Sequence, residues 1–303
     1  MYVLVIMFVI ISASALAIYL LKYFVWQPQI DREAEAAPRI TLAEAKGFWE
    51  AIEKDTLPMA KAQVQNRAPL SPSESRIGGP ALAIGDDHTW PHGDNQTQFP
   101  MEMIAQINFA DLPELEDFPS SGILQIFTSF EMLNDSGECD RVIRWEPNPT
   151  GEKMLEIPPE LKKKHREVKD LSLKTRRIGL PLTFVHQMAP GNFLNLPYAE
   201  SDPIYENRLG ENDEVEAMLA GWEERGNKII EAYGTHWVGG HPSFIQEDIR
   251  DCGDRQDLNR VLFHMGYDHE INVGNAGDVN VLISREALLA RDFQKAFLTW
   301  DCS

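Results

Sequence analysis

Cysteine is scarce in this 303-residue chain: Cys139, Cys252 and Cys302 are odd in number, far apart and without a Cys-x-x-Cys pair. That pattern argues against a disulfide framework and suits a reducing compartment. A catalytic thiol is not expected either. Cys302 stands next to last, where a base and an oxyanion site are hard to hold, although Trp300 beside it suggests a docked end; Cys139 and Cys252 lie near acids that disfavour the thiolate. Basic charge is also short, with 28 Lys and Arg against 47 Asp and Glu and a formal net charge of −19. Nucleic acid is therefore not expected as a partner, because phosphate binding needs a basic surface. The acid surplus serves solubility or faces a protein partner with a basic surface. Finally, the chain has no Gly-x-Ser-x-Gly elbow, no P-loop, no Rossmann glycine fingerprint and no His-Glu-x-x-His.

What is present begins at the N-terminus. Residues 2–21, from Tyr2 to Leu21, carry no charged side chain, and Lys22, Tyr23 and Trp26 follow. About twenty apolar residues span a hydrocarbon core of about 30 Å, with snorkelling and aromatic anchors at its edge. Residues 1–26 are thus expected to form a single transmembrane anchor in the lipid bilayer. A cleavable signal peptide competes, since Ala13-Ser14-Ala15 and Ala15-Leu16-Ala17 suit signal peptidase, but no basic region precedes the run and the chain stays apolar past those sites. Lys22, Arg32 and Arg39 all follow the span, so the positive-inside bias places the C-terminal domain on the cytoplasmic side of a cell membrane.

Residues 27–40, with Pro28, Pro38 and several acids, read as a tether. Residues 41–303 have the composition of one globular domain, 43% hydrophobic and 25% charged over the whole chain. Thr41-Leu42-Ala43-Glu44 is a capping box opening an amphipathic helix, a second helix is expected over residues 58–66, and a third over 211–231. Ile104-Ala105-Gln106-Ile107 and Gly122-Ile123-Leu124-Gln125-Ile126-Phe127 read as strands. Helices and strands without regular alternation imply an α+β fold.

Internal similarity adds to this. Ile77-Gly78-Gly79-Pro80 is echoed by Val238-Gly239-Gly240-His241-Pro242, and residues 122–129 by 277–284, Gly to Gly and Ser to Ser. The expectation is an internal duplication, with two similar half-units at about 70–135 and 232–303.

The residues of these arms resemble the YwqG-like family, a bacterial domain family without an assigned function. The resemblance covers most of residues 70–303. It rests on Ser75-Arg76-Ile77-Gly78-Gly79-Pro80, Trp90-Pro91, Ala105-Gln106-Ile107-Asn108 with Leu112-Pro113, residues 122–127, Gly239-Gly240-His241-Pro242, Gln246-Glu247-Asp248, Gly277-Asp278 and Arg291-Asp292-Phe293. It implies an α+β fold with a duplicated core and brings no reaction with it. Val273-Gly274-Asn275-Ala276-Gly277-Asp278 departs from the Trp-Gly-Asp-Ala-Gly run common in that family.

Candidate site residues fall in three groups. Gln106, His241, Gln246 and Asp248 sit in the arms that a twofold arrangement brings toward a seam, where a ligand could bind. His88, His92 and Asp94 crowd a turn in which Pro91 precludes a helix, which makes them weak metal candidates, as are His236, His241, His264 and His269. Lys162, Lys163, Lys164, Arg166, Lys169, Lys174, Arg176 and Arg177 concentrate basic charge after Pro158-Pro159, either as a membrane-facing patch or as an exposed helix balanced by acids. No cofactor is predicted. The function expected is a membrane-anchored, non-catalytic binding or protein-interaction module. The alternatives are a metal-dependent hydrolase-like enzyme with a carboxylate and His site, and an acidic immunity-type protein neutralising a basic toxin.

Overall fold

The structure, a computed structural model, describes residues 54–85, 89–93, 99–132, 137–167, 177–189, 233–246, 248–250, 255–268 and 276–302, with a few isolated positions. The chain divides into two compact units, and the described residues lie almost wholly in the one formed by residues 51–195 and 225–303.

That unit is mostly β. Its strands are β1 (Leu57–Val64), β2 (Arg76–Ile77), β3 (Ala81–Leu82), β4 (Glu102–Asn108), β5 (Ile123–Met132), β6 (Cys139–Glu146), β7 (Met154–Leu155), β8 (Leu180–Ala189), β9 (His236–Gly239), β10 (Arg260–Met265), β11 (Asp278–Ile283) and β12 (Phe297–Asp301). Ten of them form one antiparallel sheet in the order β12-β11-β10-β9-β1-β8-β2-β4-β5-β6, and β3 pairs with β7. Only two short helices accompany them among the described residues, α1 (Pro159–Glu167) and α2 (Arg285–Leu289).

The α+β expectation is therefore corrected to a mainly antiparallel β fold. The helix expected over residues 58–66 is strand β1, hydrogen-bonded on both sides, to β8 through Leu57 opposite Ala189 and to β9 through Ala60 opposite Val238. Met, Ala, Lys and Gln favour a helix in isolation, but two sheet partners outweigh differences of a few tenths of a kcal/mol per residue. The helix expected over 211–231 lies outside the described residues. So does most of that over 41–52, where Ala43, Gly47 and Glu50 are helical. No helix among the described residues is long and apolar enough to cross a membrane, and the anchor residues Tyr2, Leu21, Lys22 and Trp26 lie outside them.

Outward from β8 the strands run β2, β4, β5, β6; outward from β1 they run β9, β10, β11, β12. The two sets interlock. β1 precedes β2 in the chain yet pairs with β9, while β8 precedes β9 yet pairs with β2. The sheet nearly closes, since its ends β6 and β12 lie side by side and the Gln294 amide donates to the Ile143 carbonyl at 2.6 Å.

Inward-facing Ile107, Leu124, Ile126, Leu262, Val281 and Leu298 form the core, each essentially inaccessible to solvent. Phe109, Trp145 and Phe293 pack ring to ring at one side of it, Trp145 against Phe293 at 4.8 Å between centroids. Burial of these apolar surfaces supplies the main driving force, about 25 cal/mol per Å² removed from water. A second cluster, Trp90, Met101, Phe127, Leu155 and Leu161, lies under β7 and α1, with the Trp90 indole donating to the Met101 carbonyl at 2.8 Å.

Candidate functional site

Strand pleating alternates side chains between the faces of a sheet, so a polar residue next to inward-facing core residues lies on the opposite face, and where it is buried there it must find partners in the covering segments. Two such sets occur at matching places in the two strand series. In the first, Arg76 on β2 is fully buried and donates to the carbonyls of Pro72, Glu74 and Pro80 and to Gln106 Oε1. Burial lowers its pKa to about 10, so the guanidinium stays charged. Gln106 on β4 completes the set. Its amide donates to Pro72 and Glu74, and its oxygen accepts from the Leu82 amide at 3.1 Å and from Gln125 at 2.9 Å.

In the second set, Trp237 on β9 donates its indole N–H to the His241 carbonyl at 3.1 Å, as Arg76 does to Pro80. Its ring stacks on His264 of β10 at 3.6 Å between centroids, and His264 Nδ1 lies 3.0 Å from Asn280 Oδ1 on β11. The Asn280 amide donates to the Ser243 carbonyl at 2.6 Å, as the Gln125 amide does to Leu82 at 2.7 Å. The backbone matches too. Gly78-Gly79 and Gly239-Gly240 all have positive φ, and register shifts fall between Met103 and Ala105 in one series and between Val261 and Phe263 in the other. A Cβ on Gly79 would lie 2.5 Å from the Gly179 nitrogen, so the turn admits only glycine there.

The polar residues singled out in the sequence do not converge. Gln106 belongs to the first set, and among the described residues it makes no hydrogen bond to the other three. His241 Nε2 lies 2.9 Å from the Asp55 carbonyl oxygen, and burial lowers its pKa. The Gln246 amide donates to the Cys302 carbonyl at 2.8 Å. Asp248 accepts from the Arg250 amide at 2.9 Å and pairs with its guanidinium.

His92 Nδ1 lies 2.8 Å from the Trp90 carbonyl oxygen; His88, Asp94 and His269 lie outside the described residues. His236, His241 and His264 each engage a different partner, and among the described residues no three His, Cys, Asp or Glu side chains are placed to hold a metal. Of the basic segment, Lys162 pairs with Glu156 at 3.5 Å and Lys163 and Arg177 are exposed, while Lys169, Lys174 and Arg176 and the side chains of Lys164 and Arg166 lie outside the described residues.

Three features were not read from the sequence. Arg76 was seen only as part of a motif, not as a buried cation. Asp117, with φ of 73° and a side chain 4% exposed, takes Arg285 at 2.7 Å and Arg260 at 3.0 Å on its carboxylate and Arg291 on its carbonyl. The Arg285 hydrogen bond, more than any other influence, holds this carboxyl below the usual range. Lastly, Asp278 and Asp301 face each other across β11 and β12, next to His264. The alignment of residues 122–129 with 277–284 carried a signal for this last feature, because it sets Asp278 opposite the fully buried Ile123.

No curated protein matches the chain. A family model covers residues 75–302, three quarters of its length and both strand series. The chain belongs to the family described as a domain of unknown function, DUF1963.

Proposed function

We propose that this protein is a non-catalytic binding or protein-interaction module, held at a cell membrane by residues 1–26 with its folded domain on the cytoplasmic face, and that its partner presents a basic surface. One observation carries the reading: six arginines of the β unit are engaged within the fold itself. Arg67 pairs with Glu74, Arg141 with Glu138, Arg250 with Asp248, and Arg260 and Arg285 with Asp117, while Arg76 is buried on backbone carbonyls. Each ion pair also uses an acid, and over the whole chain acids outnumber Lys and Arg by 47 to 28, so the net charge stays strongly negative. A net negative surface speeds encounter with a cationic partner and makes binding sensitive to salt.

The membrane part of the proposal rests on the uncharged run from Tyr2 to Leu21. The finer YwqG-like relationship belongs to the same proposal, supported by the paired Gly-Gly turns and by Gln106. A neutraliser of a basic toxin would be one specialised form of such a module.

The test uses the full chain in detergent, passed over immobilised small basic and small acidic proteins. Retention on the basic set alone, reversed by salt, supports the module. Equal retention on both sets, or none, contradicts it. Hydrolysis of ester, phosphoester or peptide substrates on adding zinc or manganese would favour the hydrolase-like alternative.

A further inference from the structure

The second polar set contains a group that the first does without. Where β5 begins with Ile123, β11 begins with Asp278, a carboxyl facing Asp301 on the next strand and only 16% exposed. The fold closes around an isoleucine at the matching place, so the acid is not a packing requirement. It is also costly, as like charges on directly opposed residues destabilise a sheet.

Hydrogen-bond direction decides what surrounds it. The Asn280 amide nitrogen donates to Ser243, so its oxygen is turned to His264 Nδ1, which must carry the proton. His264 Nε2 is then a lone pair, and it faces Asp278 Oδ2 at 3.7 Å. Burial keeps this imidazole neutral, with a pKa of about 3, so the contact is not an ion pair. A lone pair facing a carboxylate repels, and at 3.7 Å no hydrogen bond joins them; protonating the carboxyl removes the repulsion. Other charges nearby agree with that need. Asp301 stands across the strand pair, and His236 on β9 adds a second imidazole, itself tied by Nε2 to Asp268 at 3.0 Å. Burial first, and Asp301 second, push the Asp278 carboxyl up to about 7, against an Asn280–Ser243 framework whose hydroxyl favours the ionised form.

The same carboxylates hold a surface segment. Asp301 Oδ2 accepts from the backbone amides of Ile245 and Gln246 at 2.8 and 2.9 Å, Asn280 holds the Ser243 carbonyl, and Gln246 reaches Cys302. We propose that Asp278 holds a proton where it faces Asp301 and the His264 lone pair, and that this proton fastens residues 243–246 to the ends of β11 and β12. Loss of the proton places a second anion opposite Asp301 and an unprotonated oxygen opposite the His264 lone pair. The strand ends part, and Asp301 leaves the two amides it holds. Ile245, exposed at the tip of the segment, moves with them. The domain would so carry a fastening that tightens in mildly acidic surroundings and loosens in alkaline ones.

Hydrogen exchange of the full chain in detergent, followed over peptides covering residues 243–246 and corrected for intrinsic rates, tests this. Protection is expected to drop at least about tenfold, the equivalent of one pKa unit, as pH rises from about 6 to about 8.5. In Asp278→Asn the side chain is neutral at every pH, and protection is expected to stay level. Equal profiles in the two proteins, or no drop in the wild type, would overturn the proposal. Carbon-13 titration of the aspartate carboxyls supplies a reading that needs no variant: a carboxyl of the wild type titrating near neutrality supports it, and all carboxyls titrating in the ordinary range overturn it.

Discussion

The side-chain amide of Gln125 donates to the side-chain oxygen of Gln106 at 2.9 Å, at the position across neighbouring strands where His264 meets Asn280 at 3.0 Å. Polar side chains at these places tie the Gly-Gly arms to the sheet instead of lining a site. Gln106→Ala leaves the buried Leu82 amide without its side-chain acceptor and takes one acceptor each from Arg76, which keeps three backbone carbonyls, and from Gln125, which keeps the Leu82 carbonyl. The expected loss is about 1 to 3 kcal/mol, the cost of one buried amide left unsatisfied, with a smaller addition from the bonds that Arg76 and Gln125 give up. Urea unfolding with the slope unchanged would confirm it; a loss under about 0.5 kcal/mol would show the set to be dispensable.

Gly79 tests the turn that the Gln106 set supports. With φ of 80° and backbone atoms of Gly179 and Ile178 within 2.8 Å of any Cβ, Gly79→Ala must both strain its own backbone and push the neighbouring chain. A cost of about 3 kcal/mol is expected, from about 1 to 2 for the left-handed conformation and the remainder for overpacking. Gly85, also at positive φ but with open space around it, is the control, where Ala carries the conformational part alone. Thermal melts of both variants measure the difference.

Legibility in the sequence followed how local each determinant was. The strands at Ile104 and Ile123 were readable because alternation and flanking glycines are local signals, and the glycine pairs because only turns of that kind need them. Strand β1 was not. Its Met, Ala, Lys and Gln residues are strand because β8 and β9 flank them, a fact about residues more than a hundred positions away. Counting helices from local pattern likewise led to an α+β expectation for a mainly β unit. The candidate residues Gln106, His241, Gln246 and Asp248 were readable as polar positions in the arms, but the partners of the first three were not, since these lie far along the chain, whereas Asp248 pairs locally with Arg250. Asp278 was passed over for the same reason, since its opposition to Asp301 exists only across a strand pair.

Asp117 predicts the acid limb of stability. Arg285, and then Arg260, hold its carboxyl below the ordinary value, so it binds a proton less readily folded than unfolded. The stabilisation is present above about pH 4, the unfolded value, and is lost as pH falls through the folded one. Asp117→Asn keeps a residue that tolerates positive φ but removes the anion. It is expected to cost about 1 to 2 kcal/mol at neutral pH, discounted because Arg285 is half exposed, and to flatten the dependence below about pH 4. Chemical unfolding at several pH values checks both parts; an unchanged acid limb would remove Asp117 from the account.

Cysteine reactivity separates the interior from the surface. Cys139 is fully buried, and burial pushes its thiol up to about 12, whereas Cys302 is partly exposed. A maleimide is expected to label Cys302 in the folded protein and Cys139 only under denaturing conditions, as read by peptide mass spectrometry. Labelling of native Cys139 at the rate of Cys302 would contradict the packing of β6 against β12.

The central claim is that the domain binds a cationic protein partner through its acidic surface. The most direct measurement is the affinity of the full chain, in uncharged nanodiscs, for a small basic protein at low and at near-physiological salt. Binding is expected to weaken about tenfold or more across that range, and to be lost when exposed Glu114, Glu116, Glu152 and Glu156 are replaced together by Lys. Affinity that ignores both salt and these replacements would contradict the claim.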